Sequence, residues 1–172
     1  MARESYRAIA RIVKTIGKAG EVVALAADGL PFLVTPGLEL WPVPPELRGP
    51  RSFVVSRVQG DGDSARIALA GIDDLNAASA LVGKTLLARE SDLPADLALR
   101  DRRRVLGLSV VDESYGVLGK VAEVLAGAYQ DVWVVRGERG EILVPVAPEL
   151  VTIEDGQART HLPKGLVEEG EA

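Results

Sequence analysis

Residues 105–163 read VLGLSVVDESYGVLGKVAEVLAGAYQDVWVVRGERGEILVPVAPELVTIEDGQARTHLP, and this stretch decides the fold. Leu106, Leu108, Val110 and Val111 form a first apolar run, which ends at Asp112-Glu113-Ser114-Tyr115-Gly116. A second run from Val117 to Leu125 ends at Gly127. Then come Val132-Trp133-Val134-Val135, Ile142-Leu143-Val144-Pro145-Val146, Leu150-Val151-Thr152-Ile153 and Ala158-Arg159-Thr160-His161-Leu162. The runs are short, rich in β-branched residues and separated by Gly, Asp, Glu and Pro, the pattern of consecutive strands. Six strands with no helical run between them predict a small antiparallel barrel, because closure removes the two exposed edges of an open sheet.

The chain has 172 residues, room for one medium domain or two small ones. With 47% hydrophobic residues but only 4% aromatics, a folded core is feasible and must be aliphatic. No cysteine is present, which excludes disulfides and thiolate metal sites. No apolar run approaches the roughly 18 residues of a membrane span, and Met1-Ala2-Arg3-Glu4-Ser5 lacks the apolar core of a secretory signal. The expected location is cytoplasmic. The net charge of −5 is unevenly spread. Arg100, Arg102, Arg103 and Arg104 with Asp101 form a basic knot, and residues 105–172 after it carry −7. A surface so acidic repels phosphate and suits a basic protein partner, or serves solubility alone.

At the start of the chain, Tyr6, Ala8, Ala10 and Ile12 alternate with Arg7, Ile9, Arg11 and Val13, predicting a strand with Arg7 and Arg11 on one face. Lys14 to Gly20 reads as a basic loop with glycines at 17 and 20, followed by a strand from Glu21 to Leu25. The glycine spacing is too short for a phosphate-binding P-loop, and a strand follows where that motif needs a helix. Turn geometry accounts for the glycines. Arg11, Lys14 and Lys18 remain candidates for contact with RNA phosphate. Residues 28–50, rich in Pro and Gly, predict short edge strands or wrapping loops. Trp41 lies there in an apolar run that favours core packing over a binding platform. Two runs flanking Gly60-Asp61-Gly62-Asp63 predict a hairpin. Asp73 or Asp74 is placed to cap a short helix carrying Leu75, Ala78, Leu81 and Val82, which Gly83 ends. Residues 84–89 predict a closing strand, and Pro94 opens a polar, basic linker over 94–104.

Several of these pieces together resemble one family. Gly107-Leu108-Ser109-Val110-Val111-Asp112, Leu118-Gly119-Lys120-Val121, Glu123-Val124-Leu125, Gly127-Ala128, Gln130-Asp131-Val132, Glu141-Ile142-Leu143-Val144-Pro145 and Pro148-Glu149-Leu150-Val151 resemble the C-terminal PRC-barrel domain of the ribosome maturation factor RimM family. The Gly17-x-x-Gly20-Glu21-Val22 turn is similar to that family's opening motif. So is Gly71-Ile72-Asp73-Asp74 with Ala77-Ala78, Ala80-Leu81, Gly83-Lys84 and Leu86, while Ser91-Asp92-Leu93-Pro94 is similar to the exit from its first domain. The resemblance implies an all-β chain of two small antiparallel barrels: a first over 1–93 with one short helix, the basic linker, and a PRC-type barrel over 105–167. An acidic tail follows at 168–172.

The resemblance also implies a function: binding the head of the small ribosomal subunit, through its ribosomal protein number nineteen and the 3′ domain of 16S rRNA. It implies support of 30S assembly and 16S rRNA processing without catalysis or cofactor. The chain departs from the family in two places. Thr15 and Ile16 stand where Pro-His is usual. Arg100 and Asp101 fall where the family carries paired tyrosines, and Arg102 where it carries a tryptophan used in partner binding. Guanidinium groups still stack and pair with phosphate, so Arg100, Arg102, Arg103 and Arg104 are candidate partner contacts, as are Tyr129 and Trp133 beside the 127–131 turn; core packing is the competing role for Trp133. The single histidine, His161, has no acid or nucleophile beside it in the motif sense, and no metal or dinucleotide pattern stands out. A monomer is expected. An adaptor of PRC-barrel type with a non-ribosomal partner, or an enzyme with carboxylates brought together by the fold, are the other classes.

Overall fold

A computed structural model describes residues 3–127 and 129–167. The chain divides into two units after Pro94.

In the first unit, six strands form a closed barrel: β1 (Tyr6–Ile16), β2 (Glu21–Ala26), β3 (Glu39–Val43), β4 (Phe53–Gln59), β5 (Ser64–Leu69) and β6 (Thr85–Arg89), in the order β1-β2-β5-β4-β3-β6. Alternating side chains fill it with Ile9, Ile12, Val22, Leu40, Val55, Ile67 and Leu86, all essentially inaccessible. β6 closes the barrel by pairing with both β1 and β3. β3 therefore has a partner on each side and is no edge strand, although Pro42 lies within it. The predicted helix is α1 (Leu75–Ser79), and Asp74 is the cap: its Oδ1 accepts the Ala77 N–H at 2.8 Å.

Strict alternation in β1 fails at two bulges, one between Ala8 and Ala10 against β6 and one between Ile12 and Lys14 against β2. An extra residue on one strand of a pair shifts the inside–outside phase. Ile9 and Ala10 are consequently both buried. Arg7 shares its phase with buried Ile9, whereas Arg11 shares its phase with exposed Val13, so the two arginines do not share a face. β1 also runs on through Lys14, Thr15 and Ile16, so the turn begins only at Gly17. Gly20 is needed there twice over. Its φ is +92°, and a Cβ would stand 2.3 Å from the Ile72 carbonyl oxygen.

The second unit opens with two helical turns, α2 (Leu97–Arg100) and α3 (Arg102–Val105). Residues 95–104, read as linker from composition, thus lie within this unit. Leu99 and Val105 join its core. Six strands follow: β7 (Ser109–Asp112), β8 (Gly116–Leu125), β9 (Val132–Gly137), β10 (Gly140–Pro145), β11 (Val151–Glu154) and β12 (Gln157–Thr160). Each falls on one of the six apolar runs, in the order β10-β9-β8-β7-β12-β11.

The all-β, two-unit architecture is as expected, with two differences in this sheet. β12 pairs with β7 in parallel, and β10 and β11 are not hydrogen-bonded neighbours. Traced through the ladder, β10 and β11 run the same way along the sheet, joined only by residues 146–150. Side-by-side parallel strands need a crossover of about a dozen residues or more. The sheet curls instead around side chains, with Ile142 and Val144 of β10 sharing one core cluster with Val151 of β11. The 168–172 tail lies outside the described residues.

Candidate interaction surfaces

The basic knot is an ordered helical corner. Asp101 and Val105, four apart, are buried on one face of α3. Asp101 caps the turn by accepting the Arg103 N–H at 3.1 Å. Successive helical residues are rotated by about 100°, so with the two ends turned inward Arg102, Arg103 and Arg104 all face solvent. Arg100 closes α2 and is half-buried. The fold thus brings three of these guanidinium groups to one exposed corner.

Tyr129 is fully exposed between β8 and β9. Gly127 and Asp131 flank it in sequence. The Gly127 N–H reaches the buried Asp131 Oδ1 at 3.4 Å, and the Val146 N–H donates to the Asp131 carbonyl at 2.9 Å. A Cβ on Gly127 would lie 2.0 Å from the Gln130 carbonyl oxygen. Trp133 corrects the sequence reading: it is fully buried, among the largest side chains of the second core, and cannot serve as a surface anchor. β9 has a run of three consecutive buried residues, Trp133, Val134 and Val135, so alternation does not mark which side Trp133 takes. Trp41 is half-buried, with its ring edge-on to Tyr6 (centroids 5.0 Å apart) and the Arg89 guanidinium 4.5 Å from its centroid.

Arg11 and Lys14 lie on β1 and Lys18 lies in the turn after it; all three are exposed. Register places more charge beside the first two. Lys14 is opposite Val23, Val23 opposite Arg66 and Arg66 opposite Gln59. Arg11 is opposite Leu25, which is opposite Ser64. Paired residues share a face and so do residues two apart. Arg11, Lys14, Arg66 and Arg57 therefore stand on one outer face of β1-β2-β5-β4, together with Glu21. Glu21 is nearly inaccessible, with Arg57 Nη2 paired to one carboxylate oxygen and Arg66 Nε to the other. Sequence reading missed Arg57, Arg66 and Glu21. The two arginines sit at alternating positions of a legible hairpin, but their alignment with β1 depends on register.

In the second unit the most connected polar group is Asp112, which is buried. Its Oδ2 accepts from Thr160 Oγ1 at 2.8 Å and the Leu162 N–H at 2.9 Å; its Oδ1 accepts from the N–H groups of Ser114 and Tyr115. Burial pushes this carboxyl's pKa up, but the donors of Leu162, Thr160, Ser114 and Tyr115 together outweigh burial and hold it below the usual value. Nearby, His161 Nδ1 lies 2.6 Å from Glu113 Oε2 with both side chains exposed, at the rim of a shallow cleft that Glu149, Glu154 and Arg159 also line. No cluster of three or more His, Cys, Asp or Glu side chains suited to a metal occurs among the described residues. Nor is any described helix long and apolar enough to cross a membrane.

A small closed barrel followed by a curled six-stranded sheet, with arginines exposed on each, defines a two-domain β protein. Residues 104–163 match the RimM PRC barrel domain. A ribosome maturation factor RimM from Desulforamulus reducens is 30% identical over 172 residues, covering 95% of this chain and 99% of that protein. Its counterpart from Geotalea uraniireducens is 32% identical over 121 residues, covering 67% and 69%. That from Lactiplantibacillus plantarum is 26% identical over 172 residues, covering 95% and 99%. A solved structure of a putative 16S ribosomal RNA processing protein RimM from Pseudomonas aeruginosa, 22% identical, covers 92% of this chain and 98% of that one, with a TM-score of 0.43. The chain belongs to the ribosome maturation factor RimM family.

Proposed function

We propose that this protein binds the immature small ribosomal subunit and assists maturation of its head without catalysis. The partners in this reading are ribosomal protein number nineteen of the small subunit and the 3′ domain of 16S rRNA, met by a cytoplasmic monomer. The observation that carries it is the likeness to a ribosome maturation factor along nearly its whole length, through both units. Charge supports the division of labour. Residues 105–172 are acidic and suit a basic ribosomal protein, with Tyr129 as the exposed aromatic and the Arg102–Arg104 corner for phosphate. Arg11, Lys14 and Lys18 are the candidate RNA contacts of the first unit. Binding would favour the mature arrangement of an rRNA–protein junction by preferring it over the immature one.

Sedimentation of cell extract on a sucrose gradient, with blotting for this protein, tests the reading. Enrichment with free small subunits and absence from translating ribosomes is the expected result. A profile confined to the top fractions or to membranes would overturn it and favour a PRC-type adaptor with another partner.

A further inference from the structure

We infer that the outer face of β1-β2-β5-β4 is a docking surface for the phosphate backbone of RNA, built on a pair of arginines that a buried glutamate holds in place. This deepens the proposed function and rests on it for the kind of RNA met in the cell. On a chain whose net charge is −5, this face carries Arg11, Lys14, Arg57 and Arg66 against the single carboxylate of Glu21. Arg11 and Lys14 have no ion pair among the described residues, so their charge is not neutralised internally. Arg57 and Arg66 each engage Glu21, yet remain 58% and 43% exposed. A guanidinium has five donors in a rigid fork; one edge on Glu21 fixes the group and leaves others pointing to solvent. Lys14 and Arg66 flank Val23 in one row, and Arg11 lies in the next row on the same face.

A sheet holds these spacings more rigidly than a loop. No aromatic residue pairs with Arg11, Lys14, Arg57 or Arg66; Tyr6, at the far end of β1, lies opposite Arg89 of β6 and edge-on to Trp41. The apolar members of the face are the half-buried Ile16, Val23 and Ala68 and the partly exposed Val13 and Leu25, all aliphatic. Recognition is therefore of backbone charge and is indifferent to sequence. Because β1 runs on through Ile16, the anionic strand would lie along the sheet, with Lys18 in the turn peripheral to it.

The test is fluorescence anisotropy of the full chain with labelled oligouridylate across a salt series. The four phosphate contacts of this face should contribute ~−2.8 to the log–log slope, at about −0.7 per contact on a single strand. Arg11→Glu with Lys14→Glu, two exposed residues with no ion pair among the described residues, should cut the slope by ~1.4. Replacing Arg57, Arg66 and Glu21 together by Gln removes the pair without stranding a buried carboxylate, and should cut it similarly while the melting profile confirms the fold. Arg139→Glu with Lys164→Glu in the second unit changes charge equally and should leave the slope within error. An unchanged slope in both face variants, or an equal loss in the control, overturns the inference. Polyglutamate added at matched charge should leave the RNA bound; its displacement of the RNA would reassign the face to an acidic polypeptide. Failure of the ribosomal reading is separable, since the gradient would then lack the protein in small-subunit fractions while oligouridylate still bound this face.

Discussion

Asp112 shows how one side chain can tie a sheet together. It ends β7, accepts from the turn into β8, and accepts from β12 and the segment beyond it. Asn in its place would turn one acceptor into a donor that faces donors. Leaving buried donors unmatched costs about 1–3 kcal/mol, so Asp112→Asn should lower the stability of the second unit by that order. The pH dependence follows from the depressed pKa. A carboxyl held below its ordinary 3.8 stabilises the fold fully above that pH. The contribution is lost as pH falls below 3.8 through the folded-state value. Trp133 reports on this unit once Trp41→Phe removes the other indole. In that background, stability followed by indole fluorescence should fall as pH drops below 3.8, and the additional Asp112→Asn change should flatten that fall. Identical acid profiles with and without the Asp112→Asn substitution would refute the assignment. For Trp133 the sequence offered both core and interface and could not choose by alternation, because its neighbours on β9 are apolar on both sides; its burial decides for core.

At the scale of elements, all six strands of the second unit were legible because Gly, Asp, Glu and Pro punctuate them. Their neighbours were not, since β12 joins β7 in parallel by long-range pairing that no local pattern encodes. The helical turns at 97–105 were hidden for the opposite reason: four arginines around one aspartate read as solvated linker, while the burial of Leu97, Leu99 and Val105 is a tertiary fact. The bulges of β1 likewise broke an alternation that looked regular. Close packing of β8 on β9 gives a sharper test of the sheet. Gly119 has φ +134°, and a Cβ there would lie 2.2 Å from the Arg136 carbonyl oxygen; Gly137, across from it, would strike the Leu118 carbonyl at the same distance. Gly116 has φ +74° with nothing within 4 Å. Gly116→Ala should therefore cost only the left-handed backbone term, about 1–2 kcal/mol. Gly119→Ala must also displace backbone, and should exceed it. Urea midpoints of the two variants check the order; equal midpoints would mean that the strands part without cost.

Over the whole molecule, the most distinctive surface feature is the pattern of charge. Composition alone made the acidic second unit and the basic knot visible. The cationic face of the first unit appeared only when register brought β1, β4 and β5 together. At the positions where the resemblance implies aromatics, this chain has Arg100, Asp101 and Arg102, and the fold uses Asp101 to cap α3 while presenting Arg102, Arg103 and Arg104 outward. An aromatic anchor acts by burial and is nearly insensitive to salt, whereas arginines on phosphate release counterions. Binding of this protein to immature small subunits should accordingly weaken steeply with ionic strength. Neutralising Arg102 and Arg104 to Gln, which leaves the Asp101 cap and the buried Val105 in place, should reduce the salt slope by about one per residue and leave the melting temperature near that of the parent. A variant with lower affinity but an unchanged slope would show that these side chains act by packing on a protein surface, and would return the phosphate contacts to the first unit alone.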